Sequence, residues 1–166
     1  MKKIRNPNPE DWSPTWKGSK QPRKQRKYLY NAPLHVRRKL IRAHLSRELR
    51  QLLQRRSVTL RVGDYVRIER GDFRGMEGYV IYVDTRNYRV YVDCAYITKK
   101  NGEKAYYPIH PSKLTVLKLN LSDPKRIETL TRGKNIPQEN IEKLKAQYAV
   151  SEEELKKVME LNEQFK

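Results

Sequence analysis

Residues 61–83, RVGDYVRIERGDFRGMEGYVIYV, constrain the fold more than any other stretch of this chain. Gly63-Asp64 marks a turn. Val66 and Ile68 then alternate with Tyr65, Arg67 and Glu69, the period of a half-buried strand. Gly71, Gly75 and Gly78 punctuate the next eight residues, and glycine reaches positive φ without a steric penalty. Residues 79–83 form a nearly continuous run of β-branched, apolar and aromatic side chains, as a buried strand does. The reading is strand, tight loop, strand. Arg70, Phe73 and Arg74 stand at the loop tip, where charge and a stacking face can meet a polyanion.

The pattern continues downstream. Thr85-Arg86-Asn87 makes a short turn, after which Tyr88, Val90 and Val92 alternate with Arg89, Tyr91 and Asp93. Another strand begins at 95–98. Asn101-Gly102 signals a hairpin, with a type I′ turn and positive φ at both residues. The chain returns over 103–109, turns at His110-Pro111-Ser112 and closes with a strand over 114–119. Five or so short strands joined by tight turns predict a mainly β core, a small twisted barrel over about 58–120.

Charge divides the chain differently. Residues 1–57 carry 17 basic and 3 acidic side chains, net +14. Residues 58–120 carry 11 and 7, and residues 121–166 carry 9 and 9. A total of +18 repels itself in a compact chain and points to a partner that supplies negative charge. No apolar run approaches the roughly 20 residues of a membrane span, and the first residues hold no apolar signal-peptide core. Nucleic acid is therefore the expected partner, met mainly by the first third. No membrane association is expected.

Residues 1–32 read as a basic, Pro-rich tail (Pro7, Pro9, Pro14, Pro22) unable to build a core and expected to order on binding. Trp12 and Trp16 within it either stack on bases, fill a partner's pocket or lie on the protein's own surface. Residues 33–57 read as basic helical segments. Val36, Leu40, Ile41, Leu45, Leu49, Leu52 and Leu53 recur at steps of three and four, opposite a dense arginine and lysine face, with Ser46 as an internal cap. Residues 121–166 read as a helical extension. Asp123-Pro124 starts one helix and Gly133 stops it. Ile141, Leu144 and Tyr148 share a face of a second. Ser151 and Glu154 form a capping box for a third, whose apolar face is Leu155, Val158, Met159 and Leu161. The last two suggest a helical hairpin.

The sequence shows no catalytic constellation. His35, His44 and His110 lack metal-ligand spacing with Cys or one another, and GDFRGMEG lacks the ending of a phosphate-binding loop. The central carboxylates read as turn and cross-strand residues. The single cysteine, Cys94, reads as a reduced near-core residue of a cytoplasmic protein, the alternative being a reactive thiol. No cofactor, metal or enzymatic activity is expected.

VGDYVRIERGDFRGMEGYVIYV resembles the KOW motif of certain ribosomal proteins and transcription elongation factors. Its flanks narrow the likeness. NAPLHVRRKLI (31–41), LSRELRQ (45–51) and KNGEKAYYPIHPSKL (100–114) resemble the family of large-subunit ribosomal protein twenty-four in its archaeal–eukaryotic form. The likeness runs from about residue 31 to 132. Leu52-Leu53-Gln54-Arg55 departs from the family's Lys-Tyr-Gly-like segment, and residues 134–166 match nothing in it.

The resemblance implies an SH3-like five-stranded barrel and direct binding to 23S-type rRNA near its 5′ end. It further implies an early role in subunit assembly, a place beside the peptide exit tunnel, neighbouring ribosomal proteins as partners, and no homo-oligomer. The RNA contacts expected are Lys20, Arg23, Lys24, Arg26, Lys27, Arg37, Arg38, Lys39, Arg42, Arg47 and Arg50. To these are added Arg70, Phe73 and Arg74 on the loop, Lys99, Lys100 and Lys104 on the hairpin, and His110, Ser112 and Lys113 at the last turn. A KOW-containing elongation regulator is the competing class. It requires a polymerase-contacting domain, and no segment of that size precedes the barrel here.

Overall fold

The computed structural model describes residues 12–165, and its centre is mainly β. The strands are β1 (Arg42–Leu45), β2 (Ser57–Thr59), β3 (Tyr65–Ile68), β4 (Glu77–Asp84), β5 (Arg89–Val92), β6 (Tyr96–Thr98), β7 (Lys104–Tyr106) and β8 (Leu114–Lys118). Six form one mixed sheet in the order β2-β1-β8-β3-β4-β5, with only β1 and β8 parallel. β6 and β7 make a separate hairpin, and just beyond it Ile109 bridges Val90 of β5. The arrangement is compatible with a small barrel. Val66, Ile68, Val80, Val90, Val92, Leu114 and Val116 are all buried in its core, so the alternation read at Val66 and Ile68 holds.

Among the described residues six α-helices surround the sheet: α1 (Pro22–Asn31), α2 (Leu34–Leu40), α3 (Arg47–Leu53), α4 (Pro124–Thr131), α5 (Gln138–Gln147) and α6 (Glu152–Phe165). Several local signals act as read. The Ser46 hydroxyl accepts from Leu49 N at the start of α3. The Asp123 carboxylate accepts from Lys125 N at the start of α4, and Gly133 beyond its end has φ +73°. Ser151 and Glu154 form the reciprocal box that opens α6.

The segment expected as a tail is helical over residues 22–31. Pro14 opens a 3-10 turn (Pro14–Gly18) and Pro22 opens α1, so both prolines sit where their fixed φ favours a helical first turn. The run PRKQRKYLYN contains no β-branched residue to oppose the helix. Tyr28 is buried, Trp12 Nε1 donates to its carbonyl, and Tyr88 Oη donates to Leu29 O. This part of the segment is thus folded onto the protein without a partner. Residues 1–11, with Pro7 and Pro9, lie outside the described residues.

Residues 42–45 are strand, not helix. Ile41, Ala43 and Leu45 are buried while Arg42 and His44 are exposed. Alanine supplied the missing member of a period-two pattern, and its small apolar surface hid it. Smaller differences follow. Tyr88 belongs to the turn, with φ +54°, and β5 starts at Arg89. In the β6–β7 hairpin only Gly102 has positive φ. Gly102 N donates to Lys99 O, and Lys99 N donates to Glu103 O. That is a three-residue loop ending in a left-handed glycine, not the two-residue I′ turn.

α5 and α6 pack on the sheet region rather than on each other, so they form no helical hairpin. α5 meets α3, and α6 lies over β4. Leu119 N donates to Tyr148 O, and Val150 N donates to Leu119 O, which stitches the connection onto the end of β8. With α6 on its outer face, β4 is covered on both sides, which is why adjacent Val80 and Ile81 are both buried. Val158 faces inward, but Met159 is 64% exposed and belongs to the solvent face.

Candidate nucleic-acid interface

The first basic surface is built on α1 and α2. Arg23, Lys24, Arg26 and Lys27 are exposed along α1, and Lys20 precedes them. Lys27 Nζ lies 5.1 Å from the centre of the Trp16 ring. The Trp12 ring lies 5.4 Å from that of Tyr28. Both tryptophans therefore touch the protein's own surface, one of the readings left open by the sequence.

Arg37 does not belong to this surface. It is 3% exposed, and its guanidinium donates to three backbone carbonyls: Ala32 O at 2.7 Å, Arg86 O at 2.9 Å, and Tyr30 O. It also lies over the Tyr88 ring. The group is consumed in joining the end of α1 to the β4–β5 turn. Its charge is fixed where the helical pattern alone suggested an open face.

Its neighbours behave differently. Arg38, Lys39 and Arg42 are exposed and line a shallow groove of about 210 Å³ with Arg55, Arg61, Thr129 and Leu130. Arg47 and Arg50 are exposed on α3, with Arg50 Nε donating to Leu45 O. Arg55 and Arg61 escaped the sequence reading because their cationic neighbours in this groove come from distant segments.

The glycine-punctuated loop is tightly organised. Gly71 and Gly75 have φ of +107° and +85°. Gly75 N donates to Ile68 O at 2.7 Å, and Ile68 N donates to Met76 O at 2.9 Å. Gly78 serves another purpose. It lies within β4, where any Cβ would collide with the Asp93 carboxylate, which accepts from Tyr79 N.

Arg70 and Arg74 are exposed, but Phe73 is half-buried against the core, its ring 5.8 Å from that of Tyr107. The loop faces the turn after β7 across a groove of about 670 Å³, lined by Arg70, Phe73, Arg89, Tyr107, His110 and Lys113 among others. Here the fold unites Arg70, Phe73, His110 and Lys113, and adds Arg89 and Tyr107, which the sequence reading left as strand residues.

The His110 Nδ1 accepts from Ser112 N at 3.2 Å and lies 2.8 Å from Ser112 Oγ, so this histidine caps its turn. Partial burial, with Arg89 and Lys113 nearby, holds its pKa below the ordinary imidazole value. The ring is neutral at pH 7, with its proton on Nε2.

The hairpin lysines stand apart. Lys99 pairs with Glu103 at 2.8 Å, Lys104 lies over the Tyr96 ring at 4.6 Å, and Lys100 is exposed. Lys99 and Lys104 border a separate depression with Tyr106, Leu161 and Phe165.

A buried ion pair holds the barrel and α4 together. Asp64 is 0% exposed and Arg126 3%. Arg126 Nη1 donates to Asp64 Oδ1 at 2.6 Å, and Nη2 donates to Oδ2 at 2.8 Å. Arg61 N and Asn120 N donate to the same carboxylate. Nothing in the sequence pairs these residues, which are 62 positions apart. Burial pushes the Cys94 thiol up to about 11, so it is protonated at neutral pH and fits the near-core reading.

Among the described residues no group of three His, Cys, Asp or Glu side chains is placed to hold a metal ion. No helix among them is long and apolar enough to cross a membrane.

Comparison with known proteins agrees with the resemblance drawn from the motifs. Residues 19–133 match the family described as the ribosomal proteins L26 of eukaryotes and L24 (P type) of archaea. The chain is 58% identical over 130 residues to large ribosomal subunit protein uL24 of Nanoarchaeum equitans (strain Kin4-M), covering 78% of this chain and 88% of that protein. It is 54% identical over 114 residues to large ribosomal subunit protein uL24 of Methanosphaera stadtmanae, covering 69% of this chain and 97% of that one.

Proposed function

The chain belongs to the family of eukaryotic L26 and archaeal L24 ribosomal proteins, and from that premise we propose that it is a structural RNA-binding protein that contacts 23S-type rRNA directly. The contact lies near the 5′ end of the rRNA, acts early in large-subunit assembly, and leaves the protein beside the peptide exit tunnel. In this reading residues 58–120 are an SH3-like KOW barrel. Segments 1–32 and 33–57 are its basic RNA-facing extensions, and 121–166 is a helical extension.

The observation that carries the reading is the placement of charge. The first 57 residues hold +14 of the +18, and α1, α2 and β1 display Arg23, Lys24, Arg26, Arg38, Lys39 and Arg42 on exposed positions. Such a surface neutralises phosphates and releases counterions, which makes affinity fall steeply with salt. The loop arginines supply a second, smaller contact.

Filter binding to a transcript of the 5′ region of the large-subunit rRNA tests this. Affinity is expected to drop by about three orders of magnitude or more between 50 and 200 mM salt. Arg38→Ala with Lys39→Ala and Arg42→Ala lowers the logarithmic salt slope by roughly two to three. Arg70→Ala with Arg74→Ala lowers it by less than two. Salt-insensitive binding, or recovery of the cellular protein with polymerase and not with large subunits, overturns the proposal.

A further inference from the structure

We propose that the groove between the 69–76 loop and the 107–113 turn is a socket for one unstacked RNA nucleotide, its base on Tyr107 and its phosphate among Arg70, Arg89 and Lys113. This deepens the rRNA-binding reading and rests on it.

Four observations converge on the socket. Its volume, about 670 Å³, lies in the range of cavities that enclose a ligand of nucleotide size. Its charge is one-sided: among the described residues, Arg70, Arg89 and Lys113 line it against a single carboxylate, Asp72. Arg89 Nε is buried and has no hydrogen-bond partner, an unmet donor on the wall of the groove. A buried donor without an acceptor costs free energy that an incoming phosphate or base oxygen recovers.

Aromatic geometry supplies the fourth. Tyr107 is 44% exposed, while Phe73 is packed against the core behind it. The two rings are 5.8 Å apart and tilted by 47°, so they touch and leave no parallel slot between them. A base therefore stacks on the open face of Tyr107, with Phe73 as its backing. Sequence-specific readers of RNA use unstacked bases in this way, held on an aromatic face with a cationic fringe. His110 adds direction. Its Nδ1 is occupied by Ser112, which leaves Nε2–H as the donor of the neutral ring.

The test uses the full chain and the same 5′-region transcript. Tyr107→Leu keeps apolar packing against Phe73 but removes the stacking face, and Tyr107→Trp keeps that face. Arg89→Gln removes one cation. Affinity is expected to fall roughly tenfold for Tyr107→Leu with the salt slope unchanged, and to return with Tyr107→Trp. Arg89→Gln lowers the slope by roughly one. Ultraviolet crosslinking places a nucleotide on the tryptic peptide 105–113. Melting curves confirm that each variant is folded, and Tyr107→Phe serves as the isosteric control for Tyr107→Leu.

Tight, salt-dependent binding that Tyr107→Leu leaves unchanged, with crosslinks confined to residues before 61, overturns the socket and leaves the rRNA reading standing. Failure of the unaltered chain to bind the transcript at all overturns both.

Discussion

At the scale of single residues, the same residue type serves opposite ends. Arg37 and Arg126 are buried among carbonyls and a carboxylate, while Arg38 and Arg42, within five positions of Arg37, face outward. Asp64 is saturated: two backbone N–H groups and both ends of one guanidinium reach its two oxygens. Asp64→Asn leaves the Arg126 charge buried and uncompensated, which is the costly way to break such a pair. Stability by urea denaturation is expected to fall by about 3–5 kcal/mol. Glu69→Gln, at an ion pair whose two side chains are both largely exposed, changes it little. Equal effects at the two sites would contradict the role assigned to burial. The sequence showed both arginines and the aspartate. It showed nothing of which were inside, because burial depends on segments far along the chain.

At the scale of elements, the loop between β3 and β4 shows how much was legible. Strand, glycine loop and strand all appear where the pattern put them. Gly71 and Gly75 take the positive φ expected of them, but Gly78 is fixed by the nearby Asp93 side chain instead. At Gly75 there is open space for a side chain, so the backbone angle alone penalises a substitution. Gly75→Val is expected to destabilise the fold by about 1–3 kcal/mol, read by thermal or chemical denaturation. An unchanged midpoint would show that the loop relaxes freely.

Helix caps were legible for the same reason as this loop: a cap joins residues two or three positions apart. β1 was not legible. Leucine and isoleucine at steps of three and four fit a helix through Leu45, and the edges offered by β2 and β8 make residues 42–45 a strand. The candidate groove lay between these extremes. Four of its members were named from the sequence, but Tyr107 and Arg89 were hidden in ordinary strand alternation.

At the scale of the whole molecule, charge and packing are divided along the chain. Residues 134–166 carry 6 basic and 7 acidic side chains and cover β4 and α3 with Leu144, Val150 and Val158. They lie beyond the family match, which ends at residue 133. Removing residues 134–166 is expected to cost several kcal/mol, since each such apolar side chain contributes about 1.5–3 kcal/mol on burial. The salt slope of RNA binding stays the same, because no cationic surface is lost on balance. A truncated chain that melts like the full one, or binds with a smaller slope, contradicts that division.

The amino-acid sequence alone determined the asymmetric charge, the strand–loop–strand signature, the helix caps and, through its motifs, the family. Each is written in residue type and in spacings of a few positions, where backbone geometry and turn chemistry act directly. Tertiary structure decided the rest: β1 as a strand, α6 over β4, Asp64 with Arg126, Arg37 withdrawn from the basic face, and Tyr107 opposite Arg70. Each of these depends on the packing of remote segments, because a side chain's burial and electrostatic environment are set by whichever part of the chain folds against it.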